Sequence, residues 1–318
     1  MITSFRSVEL PLNFTSCIVA EEKCPNEHIK FYLYNRKISE TSGLYEISED
    51  EFSLKLAPLK TNSDLVVLLH GYTGNKDYSP NMELRPAFLT KYDINIISVD
   101  WSPLARSPCY VQAATNTDIV GLCTAKLLNS LFTMRPESVS CERTHVIGFS
   151  LGAHCAGDTG KYLIEMGCTL PWITGLDPAL PLFSEITSNQ EWTIEKNDAE
   201  FVDIIHTNAG WKGQLAAHGH ADFYINSGYI QPGCIYNSSC DHVRAVEIYR
   251  ESILDESSYE GMPCILYITS FVLGIVDQIC KQINLVGEPS ETVPVGINVP
   301  HDARGTYQVL TNNIFQNP

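Results

Sequence analysis

Short apolar runs alternate with longer amphipathic segments along the middle of the chain. The runs are rich in β-branched residues, which is typical of buried strands. Two longer segments, 114–132 and 151–166, have the spacing of apolar residues expected of helices. Strands that alternate with helices predict an α/β fold, with a central, mostly parallel sheet and helices on both faces. The predicted strands are 65–69, 94–99, 144–147, 172–176 and 201–206.

The longest apolar run, 265–279, allows two interpretations. It is shorter than the roughly 20 residues that a membrane-spanning helix needs, and it contains Asp277. It is predicted to be a buried strand or helix. A surface that touches a lipid interface is the alternative.

Polar residues follow directly after the predicted strands. In a parallel sheet these positions meet at the edge formed by the carboxyl ends of the strands, where ligands bind. Ser150 lies in the sequence Gly148-Phe149-Ser150-Leu151-Gly152, after a strand and before a helix. This pattern is typical of a nucleophile on a sharp turn. The alternative is an ordinary strand-to-helix turn.

A nucleophilic serine needs two N–H donors for the oxyanion that forms during acyl transfer. One donor is expected from the residue after the nucleophile, Leu151. The other is expected from the loop "HGYTGN" at 70–75, where Tyr72 is the candidate. His70 precedes the nucleophile in the chain and is predicted to shape this loop by a hydrogen bond.

The serine also needs an acid and a base later in the chain. Asp177 stands at a strand end in "GLDPA" and is the predicted acid, with Asp203 as its rival. Spacing alone does not choose the base. The candidates are His206, His218, His220, His242 and His301. The pair in "HGH" at 218–220 lacks a third ligand, so no metal is predicted there.

Composition limits the compartment and the partners. The 318 residues have a formal net charge of −16, which argues against binding to nucleic acids and against bulk attraction to anionic membranes. Eleven cysteines predict several disulfides and at least one unpaired thiol, hence an oxidising, extracellular location. Sequons at Asn13 and Asn237 are candidate glycosylation sites. No signal peptide is visible at the amino terminus.

Seven ordered blocks of the chain include "VVLLHGYTGN", "HVIGFSLGAH", "ITGLDPALPLF", "FVDIIHTNAG" and "CDHVRAVEIY". Together, in this order, they resemble the pancreatic lipase family. The resemblance implies an α/β-hydrolase fold and carboxyl-ester hydrolysis. It implies Ser150 as nucleophile, Asp177 as acid and His242 as base, with oxyanion donors at Tyr72 and Leu151. Asp241 stands where this family usually has a small residue before the histidine.

The same resemblance implies the covalent and cofactor chemistry. Disulfides are expected between Cys234 and Cys240 and between Cys264 and Cys280, and Cys109 is expected to join Cys17 or Cys24. The segment "EWTIEKNDAE" at 191–200 aligns poorly with the calcium-binding segment of some relatives and lacks the family's arginine. We therefore expect no required metal and no cofactor.

Loop lengths bear on the substrate. The cysteine pair before the histidine encloses only "IYNSS", where lipases of this family have a long lid, and the loop 208–218 is also short. These features resemble the insect-type phospholipase A1 branch of the family. The resemblance implies a secreted phospholipase A1 that cleaves the sn-1 ester during transient contact with a membrane surface. A neutral triacylglycerol or galactolipid lipase and a non-catalytic yolk-type lipid carrier remain open. The chain is expected to be one hydrolase domain, 1–318, without a β-sandwich domain and without colipase.

Overall fold

One mixed sheet forms the centre of the molecule. The computed structural model describes residues 17–41, 44–183, 192–235, 237–255, 259–269, 277–282 and 292–311. The strands in these residues are β1 (Lys30–Tyr34), β2 (Tyr45–Ile47), β3 (Leu65–Leu69), β4 (Asn95–Asp100), β5 (Thr144–Phe149), β6 (Trp172–Leu176), β7 (Val202–His206), β8 (Ala221–Ile225), β9 (Glu260–Thr269), β10 (Asp277–Gln282), β11 (Val293–Pro294) and β12 (Gly305–Val309).

The strand order is β10-β9-β12-β8-β7-β6-β5-β3-β4-β1-β2, and β11 pairs with β9. From β12 to β4 every neighbouring pair is parallel. Antiparallel strands flank this block, with β1 and β2 on one side and β9 and β10 on the other. The carboxyl ends of the central strands therefore share one edge, where the sequence places its reactive residues.

Helices cover both faces of the sheet, as the alternating pattern predicts. The helices are α1 (Arg36–Thr41), α2 (Glu51–Leu56), α3 (Asn81–Lys91), α4 (Tyr110–Thr115), α5 (Thr117–Met134), α6 (Leu151–Glu165) and α7 (Ser238–Leu254). On one face, α5 and α6 pack in a core that includes Leu128, Leu163 and Val146. On the other face, α3 and α7 pack in a core that includes Phe88 and Tyr249. The protein therefore has the predicted α/β-hydrolase architecture.

The predicted helix at 114–132 is divided into α4 and α5 at Asn116. The side chain of this residue accepts the Ala20 N–H (2.9 Å) and donates to the Ile18 carbonyl (2.8 Å). The helix is therefore interrupted where the Asn116 side chain binds the backbone of the amino-terminal segment. The five predicted strands and the helix at 151–166 are confirmed within two residues at each end.

The ambiguous apolar run at 265–279 contributes to two strands. It begins inside β9 and ends inside β10, which pair antiparallel, and residues 270–276 lie outside the described residues. Within the described parts of the chain, no helix combines the length and apolar character needed to cross a membrane.

Disulfides connect distant parts of the chain. Bonds join Cys17 to Cys109, Cys24 to Cys123, Cys141 to Cys168, and Cys234 to Cys240. The predicted pairs at Cys109 and Cys234 are confirmed. Cys264 is disulfide-bonded, but the side chain of Cys280 lies outside those described, so that pairing stays a prediction. Among the described cysteines, buried Cys155 is the free thiol that an odd count requires.

Candidate active site

Ser150 lies on a strained turn between β5 and α6. Its φ of 57° and ψ of −122° are unfavourable for a residue with a side chain, and strain of this kind is found at functional sites. The turn also needs Gly152, since a Cβ there would lie 2.3 Å from the Leu69 carbonyl oxygen. Ser150 Oγ makes no hydrogen bond to any described residue. The hydroxyl is therefore free to turn toward a base.

Asp177 and His242 meet beside this turn. Asp177 Oδ2 accepts a hydrogen bond from His242 Nδ1 at 2.5 Å, and the carboxylate is fully buried. Its other oxygen, Oδ1, accepts the N–H groups of Thr207 (2.8 Å) and Asn208 (3.1 Å). The Phe149 ring packs 4.6 Å from the His242 imidazole, which places the histidine next to the elbow. Nδ1 carries the proton, so Nε2 is left as an acceptor.

The competing acid is engaged elsewhere. Asp203 Oδ1 accepts hydrogen bonds from Trp172 Nε1 (2.7 Å) and Thr174 Oγ1 (2.6 Å), toward the opposite end of the strands. It makes no hydrogen bond to His242, whose Nδ1 is bonded to Asp177. The structure therefore brings Asp177, and not Asp203, to a histidine beside Ser150.

Two of the other candidate bases, His220 and His301, have partners away from Ser150. His220 Nδ1 accepts the Val202 N–H (3.0 Å), and the His301 ring stacks on Phe201. The described residues contain no group of three His, Cys, Asp or Glu side chains arranged to hold a metal.

The two expected oxyanion donors lie free at the elbow. Neither the Tyr72 N–H nor the Leu151 N–H donates to an acceptor within the described part of the chain. A Cβ at Gly71 would lie 2.7 Å from the Ser150 Cβ, so the loop before Tyr72 touches the serine. Leu151 starts α6, where unpaired N–H groups and the helix dipole favour negative charge.

His70 shapes this loop, as predicted. Its Nε2 accepts the Trp101 N–H (3.0 Å), and its ring stacks on the Trp101 indole. The Trp101 Nε1–H in turn donates to the His70 carbonyl at 2.9 Å. These two hydrogen bonds attach the start of the loop to the residue that directly follows β4.

Sequence reasoning missed a second buried histidine–aspartate pair. His206 Nε2 lies 2.9 Å from Asp222 Oδ1, and both side chains are buried. The His206 ring stacks on Tyr224, while Nδ1 contacts the Gln214 carbonyl at 3.1 Å. Because His206 directly precedes Thr207, this pair fixes the backbone whose amides hold Asp177. In the sequence, only the spacing of Asp222 and Tyr224 in "ADFYI" could have indicated this pair.

Two short loops, the one after β7 and the disulfide ring 234–240, form the rim of the candidate active site beside His242. Asn208 Oδ1 accepts from Ser238 Oγ (2.6 Å), and Lys212 Nζ donates to Ser239 Oγ (2.6 Å). These bonds attach the loop after β7 to the disulfide ring 234–240 at the start of α7.

The two candidate glycosylation sites differ in what the structure describes. Asn237 is exposed and caps α7, and its glycosylation stays a prediction. Asn13 lies outside the described residues.

Comparison with known proteins identifies the family. The family model described as "Lipase" matches residues 9–273. A phospholipase A1 from Vespa velutina is 36% identical in an alignment of 257 positions that covers 74% of this chain and 80% of that protein. The chain belongs to the lipase family.

Two further relatives are pancreatic enzymes. Pancreatic lipase-related protein 2 of Cavia porcellus is 33% identical over 246 residues, and human pancreatic triacylglycerol lipase is 32% identical over 268 residues. Each alignment covers 75% of this chain and 54% of the relative, so the chain spans about half the length of these lipases. Among solved structures, an esterase from Pyrobaculum calidifontis aligns with a TM-score of 0.35 and 14% identity, over 72% of this chain and 86% of that chain.

In this member of the family, the segment compared with the calcium site of some relatives faces a lysine. Lys161 Nζ on α6 lies 3.2 Å from the Thr193 carbonyl oxygen and 3.2 Å from Asp158 Oδ1. Asp198 and Glu195 also interact electrostatically with this ammonium. In the described part of the segment, Thr193, Glu195 and Asp198 therefore already interact with a positive charge.

Proposed function

We propose that this lipase hydrolyses the sn-1 ester of phospholipids, as a secreted phospholipase A1. The observation that supports ester hydrolysis is the 2.5 Å contact between Asp177 Oδ2 and His242 Nδ1 beside the strained Ser150 turn. A serine, a histidine and a carboxylate in this order form the arrangement that activates a hydroxyl for acyl transfer.

The proposed reaction uses this geometry directly. His242 Nε2 removes the Ser150 proton as Oγ attacks the ester carbonyl, and Asp177 stabilises the imidazolium that forms. The free N–H groups of Tyr72 and Leu151 stabilise the oxyanion, a contribution of about 3–4 kcal/mol per donor in comparable sites. The alcohol leaves with the proton from His242. Water activated by the same histidine then hydrolyses the acyl-enzyme.

Short rim loops favour a phospholipid over a triglyceride. The disulfide between Cys234 and Cys240 closes a ring of few residues, and the loop after β7 is attached to it by Lys212. A short rim offers little apolar surface to long acyl chains and leaves room for a polar head group. Similarity to the Vespa velutina phospholipase A1 favours the same substrate class.

The proposed setting is extracellular, at a lipid surface. Four disulfides between described cysteines suit an oxidising compartment. The net charge of −16 favours neutral or zwitterionic interfaces over anionic ones. Contact with the membrane is proposed to be transient, without colipase, cofactor or nucleic acid.

Hydrolysis of phosphatidylcholine labelled separately at its two acyl positions tests the proposal. The native protein is expected to release the sn-1 chain and to turn over triolein slowly. Ser150→Ala should lower the rate roughly 10³-fold or more, because the nucleophile is lost. Ser140→Ala, before β5 at the opposite edge of the sheet, is the matched control and should leave the rate unchanged.

Each other result has a definite meaning. Fast triolein turnover would make the protein a triacylglycerol lipase with the same triad. Release of the sn-2 chain, or full activity in a folded Ser150→Ala protein, would contradict the proposal. No turnover of any ester by a folded native protein would make it a non-catalytic lipid carrier.

A further inference from the structure

A small depression lies next to the catalytic histidine. It has a volume of about 210 Å³. Asp241, in its lining, directly precedes His242 in α7, so the depression borders the active site. The lining residues are Asn208, Trp211, Tyr229, Ile230, Ser238 and Asp241.

Two aromatic rings form one wall of this depression. The Trp211 and Tyr229 rings are 6.4 Å apart with an interplanar angle of 36°. Trp211 is 57% exposed, so its indole face is available to a ligand. Trp and Tyr faces attract cations, and pairs of such rings are a known means of binding quaternary ammonium groups.

The carboxylate of Asp241, a residue with little exposed surface, is part of the lining of the depression. Asp241 is 3% exposed, and its Oδ1 accepts the Gln231 N–H at 2.7 Å. Its Oδ2 makes no hydrogen bond to any described residue, and Asp241 has no ion-pair partner among them. The nearest cation on the same helix, Arg244, is paired with Glu247 and also donates to the Pro232 carbonyl. Burial and the Asp177 carboxylate raise the pKa of Asp241, whereas the Gln231 amide and Arg244 lower it, and a cation bound at Oδ2 would further stabilise the charged form.

The charges around the depression complement a zwitterion. Lys212 is adjacent in the chain to Trp211, and its Nζ is held at Ser239 Oγ, next to the lining residue Ser238. A carboxylate at the base and an ammonium beside it match the ammonium and the phosphate of a phospholipid head group. The overall charge of −16 also favours a ligand with a positive end.

We propose that Trp211, Tyr229 and Asp241 bind the quaternary ammonium of a choline-type phospholipid head group. This inference rests on the proposed phospholipase function, because it gives that function a head-group preference. The head group would be fixed beside His242 while the sn-1 ester reaches Ser150.

Binding can be measured apart from catalysis in the Ser150→Ala protein. Phosphocholine, titrated by calorimetry at fixed ionic strength, is expected to bind saturably, whereas glycerol phosphate should bind at least tenfold more weakly. Adding Asp241→Asn should weaken phosphocholine binding about tenfold, because the Asn oxygen retains the Gln231 contact while the charge is lost. Trp211→Ala should have a similar effect, and Trp211→Phe should retain most of the affinity.

Trp192→Ala is the matched control. Trp192 is 47% exposed but does not line the depression, so its loss should leave the affinity unchanged. In the active protein, the ratio of phosphatidylcholine to phosphatidylglycerol hydrolysis should fall about tenfold with Asp241→Asn.

Absence of saturable phosphocholine binding would overturn the inference. Equal affinity in the Asp241→Asn and Trp211→Ala proteins, with an unchanged ratio of the two lipids, would also overturn it. If phosphocholine binds as expected but the active protein hydrolyses no ester, the binding site stands and the proposed catalytic function fails.

Discussion

At the scale of single residues, the two aspartates that compete for the role of acid differ in their partners. Asp177 accepts two backbone N–H groups and one histidine, whereas Asp203 uses only Oδ1. Asp203 Oδ2 is buried and makes no hydrogen bond. Burial therefore raises the pKa of Asp203 to about 7, even though Thr174 and Trp172 lower it.

The raised pKa of Asp203 makes stability depend on pH. Between about pH 4 and pH 7 the unfolded chain releases a proton that folded Asp203 retains, so the free energy of unfolding should fall as pH rises. The slope from one such group is at most about 1.4 kcal/mol per pH unit. Denaturant unfolding at several pH values should show a shallower slope for Asp203→Asn. The exposed control Asp302→Asn should keep the native slope, and an equal slope in Asp203→Asn would contradict the argument.

From the sequence alone, the residues of the candidate site could be predicted only when they directly follow a strand. Ser150, Asp177 and the loop of Tyr72 all stand at strand ends, and the parallel sheet brings such positions together. His242 lies instead in the first turns of α7, and nothing local distinguishes it from the other histidines. Its selection needed the family resemblance. The contact between Asp241 and the Gln231 amide likewise depends on a fold that spacing does not reveal.

At the scale of elements, the five parallel strands from β3 to β7 were predictable, whereas β8, β12 and the antiparallel strands that flank the block were not. Buried parallel strands are continuous apolar runs, so β3 and β6 appear in the sequence with their full bounds. The break between α4 and α5 escaped prediction because Asn116 is satisfied by the segment near residue 18, about a hundred positions earlier. The edge strand β2 is short, its neighbour β1 is partly exposed, and the apolar pattern of both is therefore weaker.

Lys161 connects α6 to the segment before β7. Its removal by Lys161→Met would leave buried Asp158 and Asp198 without their cation, and we expect a loss of about 2 kcal/mol in unfolding free energy at pH 8. Thermal unfolding of the native protein should be unaffected by a chelator. Millimolar calcium should partly restore the variant and leave the native protein unchanged. The exposed control Lys55→Met should lose little stability, and a chelator-sensitive native protein would contradict this account.

At the scale of the whole molecule, the disulfides leave one free thiol among the described cysteines. Cys155 is buried, and burial raises the pKa of its thiol well above the ordinary value. A thiol reagent should therefore label no cysteine in the native protein and one per chain in denaturant. Three labelled thiols in denaturant would contradict the predicted bond between Cys264 and Cys280. Full reduction before labelling should give eleven and provides the control.

The acidic character of the chain sets a limit on its own action. On the proposed function, every turnover leaves a fatty acid anion in the lipid surface. A protein with a net charge of −16 is repelled more strongly as that surface becomes negative. Hydrolysis would slow by feedback long before the substrate is exhausted, and it would resume where other molecules carry the fatty acids away.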